Sequence, residues 1–248
     1  MLVAIAETDY LLMSKILGLI TARGGSKSIP RKNITPLCGR PLLAYTCDAA
    51  LGSRLVTRVI LSTDDKEIAE VGRQCGIEVP FLRPDELARD NSTSLSVVQH
   101  AVGWLREHDS FNPDIVLLLQ PTSPLRRADH IDEAIRKMEE SGADTVVSVV
   151  ELPHRFSPYS IMQLTEGWLS DFWQSAMPFD RYRRQDMPVL YARNGPALLA
   201  ARTQVIMEEN SFYGSHVAPF VMNQADSIDI DDVFDLELAE WLMSKSVF

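Results

Sequence analysis

From Ile16 onward the chain alternates short aliphatic or β-branched runs with longer amphipathic ones, and few folds accommodate that alternation. The short runs fall at residues 16–21, 57–62, 77–81, 114–119 and 144–150, each of strand length. Between them, stretches of helical period occupy 41–51, 65–75, 93–107 and 129–140. Pro41 at a first turn, Asp64 before an acidic turn and Thr93 ahead of an apolar-periodic stretch mark helix starts. Strands apolar on both faces and separated by helices are βα units of a largely parallel, buried sheet. The expected fold is therefore α/β, a Rossmann-like doubly wound and mostly parallel sheet, with ligand loops at the carboxyl ends of its strands.

After Glu151 the texture changes. Residues 152–188 carry Pro153, Pro158, Pro178, Pro188, two tryptophans and clustered arginines without a clean period, so they read as a small insertion. Exposed aromatics beside arginine in such an excursion mark a contact surface, and a homodimer contact is preferred to a lid over the site. The sheet pattern resumes at 189–201 and 217–222. A final helix is expected at 232–243, with Leu236, Ala239, Leu242 and Met243 on one side. Met13 stands just before the first strand, so residues 1–12 are expected to be a disordered extension and 13–248 a single domain.

An apolar content of 46% supplies a core without disulfides or metals. The longest unbroken run of Ile, Val and Leu, from Ile115 to Leu119, falls far short of the ~20 residues that a membrane-spanning helix needs. With 24 Lys and Arg against 34 Asp and Glu, the net charge of −10 repels nucleic-acid phosphates, so an anionic ligand needs a local basic site. The first residues lack a basic segment ahead of an apolar one, and Glu7 and Asp9 interrupt them, which points to a cytoplasmic protein. Cys38, Cys47 and Cys75 form no C-x-x-C pair, and the histidines lack i, i+4 spacing, so neither a disulfide framework nor a zinc site is expected.

Such a basic site follows the first strand. Residues 20–33, ITARGGSKSIPRKN, set Gly24 and Gly25 beside Ser26 and four cations, Arg23, Lys27, Arg31 and Lys32, with no acidic residue among them. Glycines let backbone N–H groups approach a phosphate, and clustered cations neutralise several charges at once. The loop is neither a Walker loop nor a G-x-G-x-x-G dinucleotide fingerprint, which counts against a nicotinamide-dependent oxidoreductase. Near the other end, ADSIDIDD places Asp226, Asp229, Asp231 and Asp232 close together. In extended chain Asp229 and Asp231 share a face and suit one hard cation, Mg²⁺ or Mn²⁺, whereas Asp232 reads as a helix cap. Basic loop and carboxylate pair together imply a metal-bound nucleoside triphosphate.

Seven collinear blocks from residue 16 to the end make the chain resemble the acylneuraminate cytidylyltransferases, which activate sialic and related nonulosonic acids as CMP-sugars. The blocks are ITARGGSKSIPRKN, GRPLLAYT, STDDKEIA, FLRPDELARDNSTS, LLLQPTSPLR, RRQDMPVLYARNG and DSIDIDD. The resemblance implies a fold of the nucleotide-diphospho-sugar transferase type, with CTP and a sugar acid as substrates. It implies a CTP site made by Ala22, Arg23, Gly24, Ser26, Lys27, Lys32 and Asn33 in the first loop, with Arg83, Asp90, Ser92, Thr93 and Ser94 around cytosine and ribose. One residue of that second group is expected to cap the helix that follows. A sugar site is implied at Gln120, Arg184, Leu198, Phe212 and Tyr213, Arg184 being suited to grip a carboxylate bidentately. Asp229 and Asp231 are the implied metal ligands; Arg23, Lys32 and Asp231 are the residues implied to carry the chemistry.

Two departures matter. Ser28 stands where the family commonly has glycine, and NGPALL at 194–199 replaces NGAIYI, putting Leu198 in place of a tyrosine. The acceptor therefore stays open among sialic, legionaminic, pseudaminic and deaminated nonulosonic acids. Transfer to an eight-carbon keto sugar acid or a phosphonate, or nucleotide binding without turnover, are the alternatives.

Overall fold

The computed structural model describes residues 14–173, 175 and 183–245; residues 1–12, expected to be an extension, lie outside that set. The chain enters strand β1 (Ile16–Thr21), passes through the basic loop and a minimal hairpin, β2 (Pro36–Leu37) and β3 (Arg40–Pro41), and forms helix α1 (Leu42–Leu51). It continues through β4 (Arg58–Ser62), α2 (Lys66–Gln74), α3 (Ser94–Asp109), β5 (Ile115–Leu119), α4 (Ala128–Ser141) and β6 (Thr145–Glu151). The insertion contains a hairpin, β7 (Met162–Thr165) and β8 (Trp168–Asp171). Then follow β9 (Tyr191–Arg193), β10 (Leu199–Arg202), α5 (Thr203–Met207), β11 (Val217–Met222) and α6 (Val233–Lys245).

The main sheet runs β11-β6-β10-β5-β1-β4, with β9 also pairing to β6. β1 is parallel to both β4 and β5, and β6 to β11. β10 lies antiparallel between β5 and β6, and β9 is antiparallel to β6, so the carboxyl ends of β1, β4, β5 and β6 all face the same way.

Alternation along each strand splits the core into two layers. Ile16, Ile20, Leu61, Leu117, Leu119 and Val146 face α1 and α4, where Leu43, Cys47, Ile131, Ile135 and Met138 meet them. Leu17, Leu19, Ile60, Val116, Leu118 and Val147 face the other side and pack on Val98, Ala101, Val102 and Leu105 of α3. Helices on both faces of a mostly parallel sheet are the doubly wound arrangement that the sequence implies. A third, smaller cluster matters more for function: Ile29 of the first loop and Leu37 of β2 pack with Ile230 and Ala239. It brings the basic loop and the carboxylate segment together.

Three local expectations are corrected. Residues 77–81 do not form a strand; Glu78 makes one isolated bridge to Ile60 at the sheet edge. Residues 189–201 form two short strands, because Pro196, in a cis peptide after Gly195, has no N–H to donate to a ladder. The cap of α2 is Asp65, whose carboxylate accepts from the amides of Glu67 and Ile68, whereas Asp64 accepts from the amide of Gly24 at 3.0 Å.

Burial acts to raise the Asp65 carboxyl, but the amides of Ile68 and Glu67 and the Arg31 guanidinium outweigh it and hold it below its ordinary value. A depressed carboxyl stabilises the fold above its unfolded value near pH ~3.9 and ceases to do so as pH falls through its lower folded value. Asp65→Ala is therefore expected to lower the unfolding free energy by about 1 kcal/mol near neutral pH. The gap from the parent protein should close below about pH 3.9, as urea titrations at several pH values would show.

Candidate active site

Thr21 ends β1 and Gln120 follows β5, and between these carboxyl ends opens a cleft of about 440 Å³. The first loop forms one wall with Arg23, Ser26, Lys27, Lys32 and Asn33; Arg83, Asp90, Ser92 and Ser94 form another. Residues separated by 60 positions or more in sequence thus meet where a doubly wound sheet binds its ligands.

The loop is held by side chains that the sequence singles out. Asn33, itself buried, donates through Nδ2 to the carbonyl of Arg23 at 2.9 Å, bracing the turn. Arg23 and Lys27 both reach Asp90 at 2.8 Å, so Asp90 closes the cleft by pairing two of the loop cations. These pairs are exposed, and exposed pairs contribute only about 0–1 kcal/mol. A triphosphate can displace the Asp90 carboxylate from both cations at little cost. Arg31 does not line the cleft: it pairs with Asp65 at 3.1 Å and Glu67 at 2.9 Å at the start of α2. Gly24 spends its N–H on Asp64. Ala22 is buried and donates its N–H to Ser62, so its side chain belongs to the core.

Arg83 lines the cleft from a buried position, with Nε donating to Ser62 Oγ at 3.1 Å and Nη2 to the Ser62 carbonyl at 2.5 Å. Burial pulls its guanidinium down to about 10, opposed by the Asp64 charge and assisted by that of Arg23. Thr93 is the cap of α3, accepting from the Ser96 amide at 3.1 Å, and Ser92 Oγ donates to the Glu86 carbonyl at 2.8 Å. Both hydroxyls therefore shape the loop, and Ser94 stands in the cleft wall.

The carboxylate segment lies directly against the loop. Lys32 Nζ donates to the Ile230 carbonyl at 2.8 Å and stands 3.8 Å from Asp231 Oδ1. Ser28 Oγ donates to the Asp231 carbonyl, so the serine that departs from the family pattern ties the two motifs together. Thr122 joins the segment to β5, since its carbonyl accepts from the Ile230 amide at 2.8 Å and its side chain hydrogen-bonds Asp229. Asp229 is largely withdrawn from solvent, and its Oδ1 has no hydrogen-bond partner. Burial raises its carboxyl, the Thr122 bond opposes this, and the Asp231 charge adds to it. Gly195, at φ +112°, meets this carboxylate; a Cβ there would stand 3.1 Å from Asp229 Cγ, so only glycine suits the position. Asp231 is exposed, and Asp232 caps α6 by accepting from the Asp235 amide at 3.1 Å. Asp226 is structural, held by Arg127 and Asn223 at 2.7 Å each.

The residues implied to bind sugar do not converge as expected. Gln120 lines the cleft. Leu198 is fully buried in the layer beneath α1 and α4 and presents no surface to a ligand. The Phe212 carbonyl accepts from Thr145 Oγ1 at 2.7 Å, which places that residue at the amino end of β6, opposite the cleft. Its ring packs on the α3 layer, while the Tyr213 hydroxyl takes a bond from Arg193 at 2.9 Å. Arg184 opens a 3₁₀ turn, Arg184–Asp186, and its side chain lies outside those described. A second cavity, of about 480 Å³, lies beside that turn at the carboxyl end of β6, lined in part by Leu152, His154, Met187, Val189, Leu190 and Gln224. Sequence reasoning missed Thr122 and Arg89 as cleft residues; Thr122 sits two residues after Gln120 in a block already recognised, which is the signal that points to it.

The family model described as "Cytidylyltransferase" matches residues 17–247. The chain belongs to that family. It is 37% identical over 236 residues to a CMP-N,N'-diacetyllegionaminic acid synthase of Legionella pneumophila, covering 92% of this chain and 96% of that protein. It is 33% identical to a pseudaminic acid cytidylyltransferase of Campylobacter jejuni, covering 92% and 96% respectively. An N-acylneuraminate cytidylyltransferase of Escherichia coli is 34% identical over 94% of this chain, which spans 53% of that longer relative. Among solved structures, a CMP:2-keto-3-deoxy-manno-octonic acid synthetase complexed with CTP superposes with TM-score 0.69 at 16% identity, over 94% of this chain and all of that one. A 4-diphosphocytidyl-2C-methyl-D-erythritol synthase from Anaerococcus prevotii gives TM-score 0.62 at 12% identity, over 96% and 99%. These two likenesses establish the nucleotide-diphospho-sugar transferase type of fold. Membership of the family makes the protein a nucleotidyltransferase.

Proposed function

We propose that this cytidylyltransferase joins CTP to the anomeric hydroxyl of a nonulosonic acid, releasing pyrophosphate and forming a CMP-sugar. The observation that carries the reading is the junction of the basic loop with the Asp229–Asp231 segment, made by Lys32, Ser28 and Thr122. Lys32 and Ser28, which line the cleft, therefore hold the basic loop against the segment that carries the candidate metal ligands.

The donor set fits a hard divalent ion. Asp229 Oδ1 is shielded without a partner, the Asp231 charge is felt at Asp229, and one or two protein carboxylates plus phosphates are how Mg²⁺ is usually held. Asp229 and Asp231 would hold Mg²⁺ or Mn²⁺, which neutralises phosphate charge and lowers the pKa of a bound hydroxyl when present. Arg23 and Lys27 exchange Asp90 for the triphosphate. The anomeric hydroxyl releases its proton to solvent as its oxygen forms the new bond to the α-phosphorus, the bond from that phosphorus to the bridging oxygen of the β-phosphate breaks, and Arg23 and Lys32 face the charge that grows on pyrophosphate. Catalysis then rests on positioning and electrostatics, and no covalent protein intermediate is needed.

The acceptor lies between Gln120 and the second cavity. That cavity is two strand spacings from β5, or ~10 Å, a span that suits the length of a nine-carbon acid. Its apolar walls, Leu152, Met187, Val189 and Leu190, with His154 and Gln224 among them, favour an acceptor carrying acyl groups over a bare polyol. Pyrophosphate release with CTP and a panel of nonulosonic acids tests the reading. Selective release with one of them supports it; release only with an eight-carbon acid moves the assignment to that acceptor.

A homodimer through the insertion is part of the same proposal. Leu164, Trp168, Leu169 and Phe172 on or beside the β7–β8 hairpin are each more than half exposed, with Leu164 and Leu169 paired on one face and Trp168 on the other, an unusual set of bare apolar side chains for one small hairpin. Trp168→Glu with Leu164→Glu is expected to halve the particle mass in light scattering. A parent protein that is already monomeric would contradict the dimer.

A further inference from the structure

The mechanism above leaves Arg126 unused, yet its side chain is the most unusual charge among the described residues. It is 2% exposed, and every acceptor it finds is neutral. Nη1 donates to the carbonyls of Gln120 at 3.2 Å and Ala197 at 2.5 Å, and Nη2 to Thr46 Oγ1 at 2.6 Å. Nε is buried without a partner. Burial pulls the guanidinium down to about 10. A buried cation with no anion beside it is costly, and an apolar side chain of similar length fills the same space without that cost. Packing alone is a poor reason to keep it.

Its acceptors give a better one. The Gln120 carbonyl belongs to the loop after β5 that supplies Gln120 and Thr122, and the Thr46 hydroxyl of α1 reaches the same carbonyl at 3.4 Å. The Ala197 carbonyl belongs to the turn of residues 194–198, whose Gly195 backs onto Asp229. Thr122 bonds Asp229 from the first of these loops, and Gly195 limits it from the second. One planar guanidinium therefore fastens together the two loops that confine the Asp229 carboxylate, and a lysine head could not span them. We propose that Arg126 is a positioning residue for cytidylyl transfer, which fixes Gln120 in the cleft wall and the Asp229 carboxylate between its two confining loops by clamping the Gln120–Thr122 loop to the turn before β10. It touches no substrate, and the inference rests on the CTP-dependent reaction proposed above.

The test uses the full chain and two variants, Arg126→Met, which keeps length but removes the clamp, and Thr46→Val, which removes one acceptor at a residue that does not itself line the cleft. Three quantities are read per folded molecule: kcat, the Mg²⁺ concentration for half-maximal rate, and the calorimetric Kd for CTP without metal. Arg126→Met should lower kcat by about 30-fold and raise the half-saturating Mg²⁺ several-fold, as loss of support behind a metal ligand does. The Kd for CTP should stay within about threefold, because the basic loop and Arg83 are untouched. Thr46→Val should shift the same two quantities in the same direction by about three- to tenfold. If Arg126→Met does not fold, Thr46→Val decides by the same criteria. Wild-type kcat and Mg²⁺ dependence in the folded variants, whatever their melting temperature, would overturn the proposal and leave Arg126 a purely structural residue. A Kd for CTP that rises in step with the loss of kcat would overturn it too. Failure of the parent protein to turn over any acceptor would instead defeat the proposed reaction, and this inference with it.

Discussion

Asp229→Asn is expected to lower the rate of pyrophosphate release by about 10³-fold while leaving the melting temperature at or above that of the parent protein. The two effects have one cause. Asp229 is held out of water, with Oδ1 unpartnered and with the Asp231 and Asp235 charges unfavourable to its ionised form. A carboxyl whose folded value is raised opposes folding at pH values above it, and an amide of the same shape removes that opposition. Sites that trade stability for function show this pattern when a functional residue is replaced. A circular-dichroism melt beside a pyrophosphate assay separates the outcomes: lost activity with a sharply lowered melting temperature would make Asp229 a folding residue instead.

The second large effect is expected at Arg23. Arg23→Ala should cost about 10²–10³-fold in turnover at saturating CTP, the scale of losing one positioned charge at a phosphoryl centre. Its pair with Asp90 is exposed and contributes at most about 1 kcal/mol, so stability should barely change. Lys27→Ala should cost less. Both cations hold Asp90, but the Lys27 side chain is 79% exposed against 38% for Arg23, so its charge is more thoroughly screened by water. Equal losses at the two positions, measured as kcat at saturating CTP, would contradict the ranking.

The elements with clean periodicity, among them β1, β5 and α3, were legible in the sequence because the core dictates every second or every third and fourth residue. The run at 77–81 looked equally strand-like, but it lies beyond β4 at the sheet edge, where Glu78 finds a partner and its neighbours do not. The β7–β8 hairpin was hidden by the irregular texture around it. Its signal is Glu166-Gly167, which takes positive φ at both central positions, at 52° and 87°, as the favoured two-residue hairpin turn requires.

The two motifs stood out for a different reason: clustered cations in an acidic chain suit an anion, and aspartates two apart suit a cation. What those cations do before a ligand arrives was not readable. Asp90 pairs with two of them and Arg31 is drawn to α2, both set by contacts distant in sequence. The acceptor side was legible least. Leu198, Phe212 and Tyr213 are apolar or aromatic residues whose positions packing decides, and packing takes Leu198 into the core and the Phe212–Tyr213 pair away from the cleft.

The most direct test follows the anomeric oxygen. An acceptor nonulosonic acid labelled with ¹⁸O at its anomeric hydroxyl is incubated with CTP and Mg²⁺, and the products are weighed by mass spectrometry. Attack by that hydroxyl on the α-phosphorus predicts the label in the CMP-sugar bridge and none in pyrophosphate. Label found in pyrophosphate, or CMP formed without a sugar ester, would contradict the account.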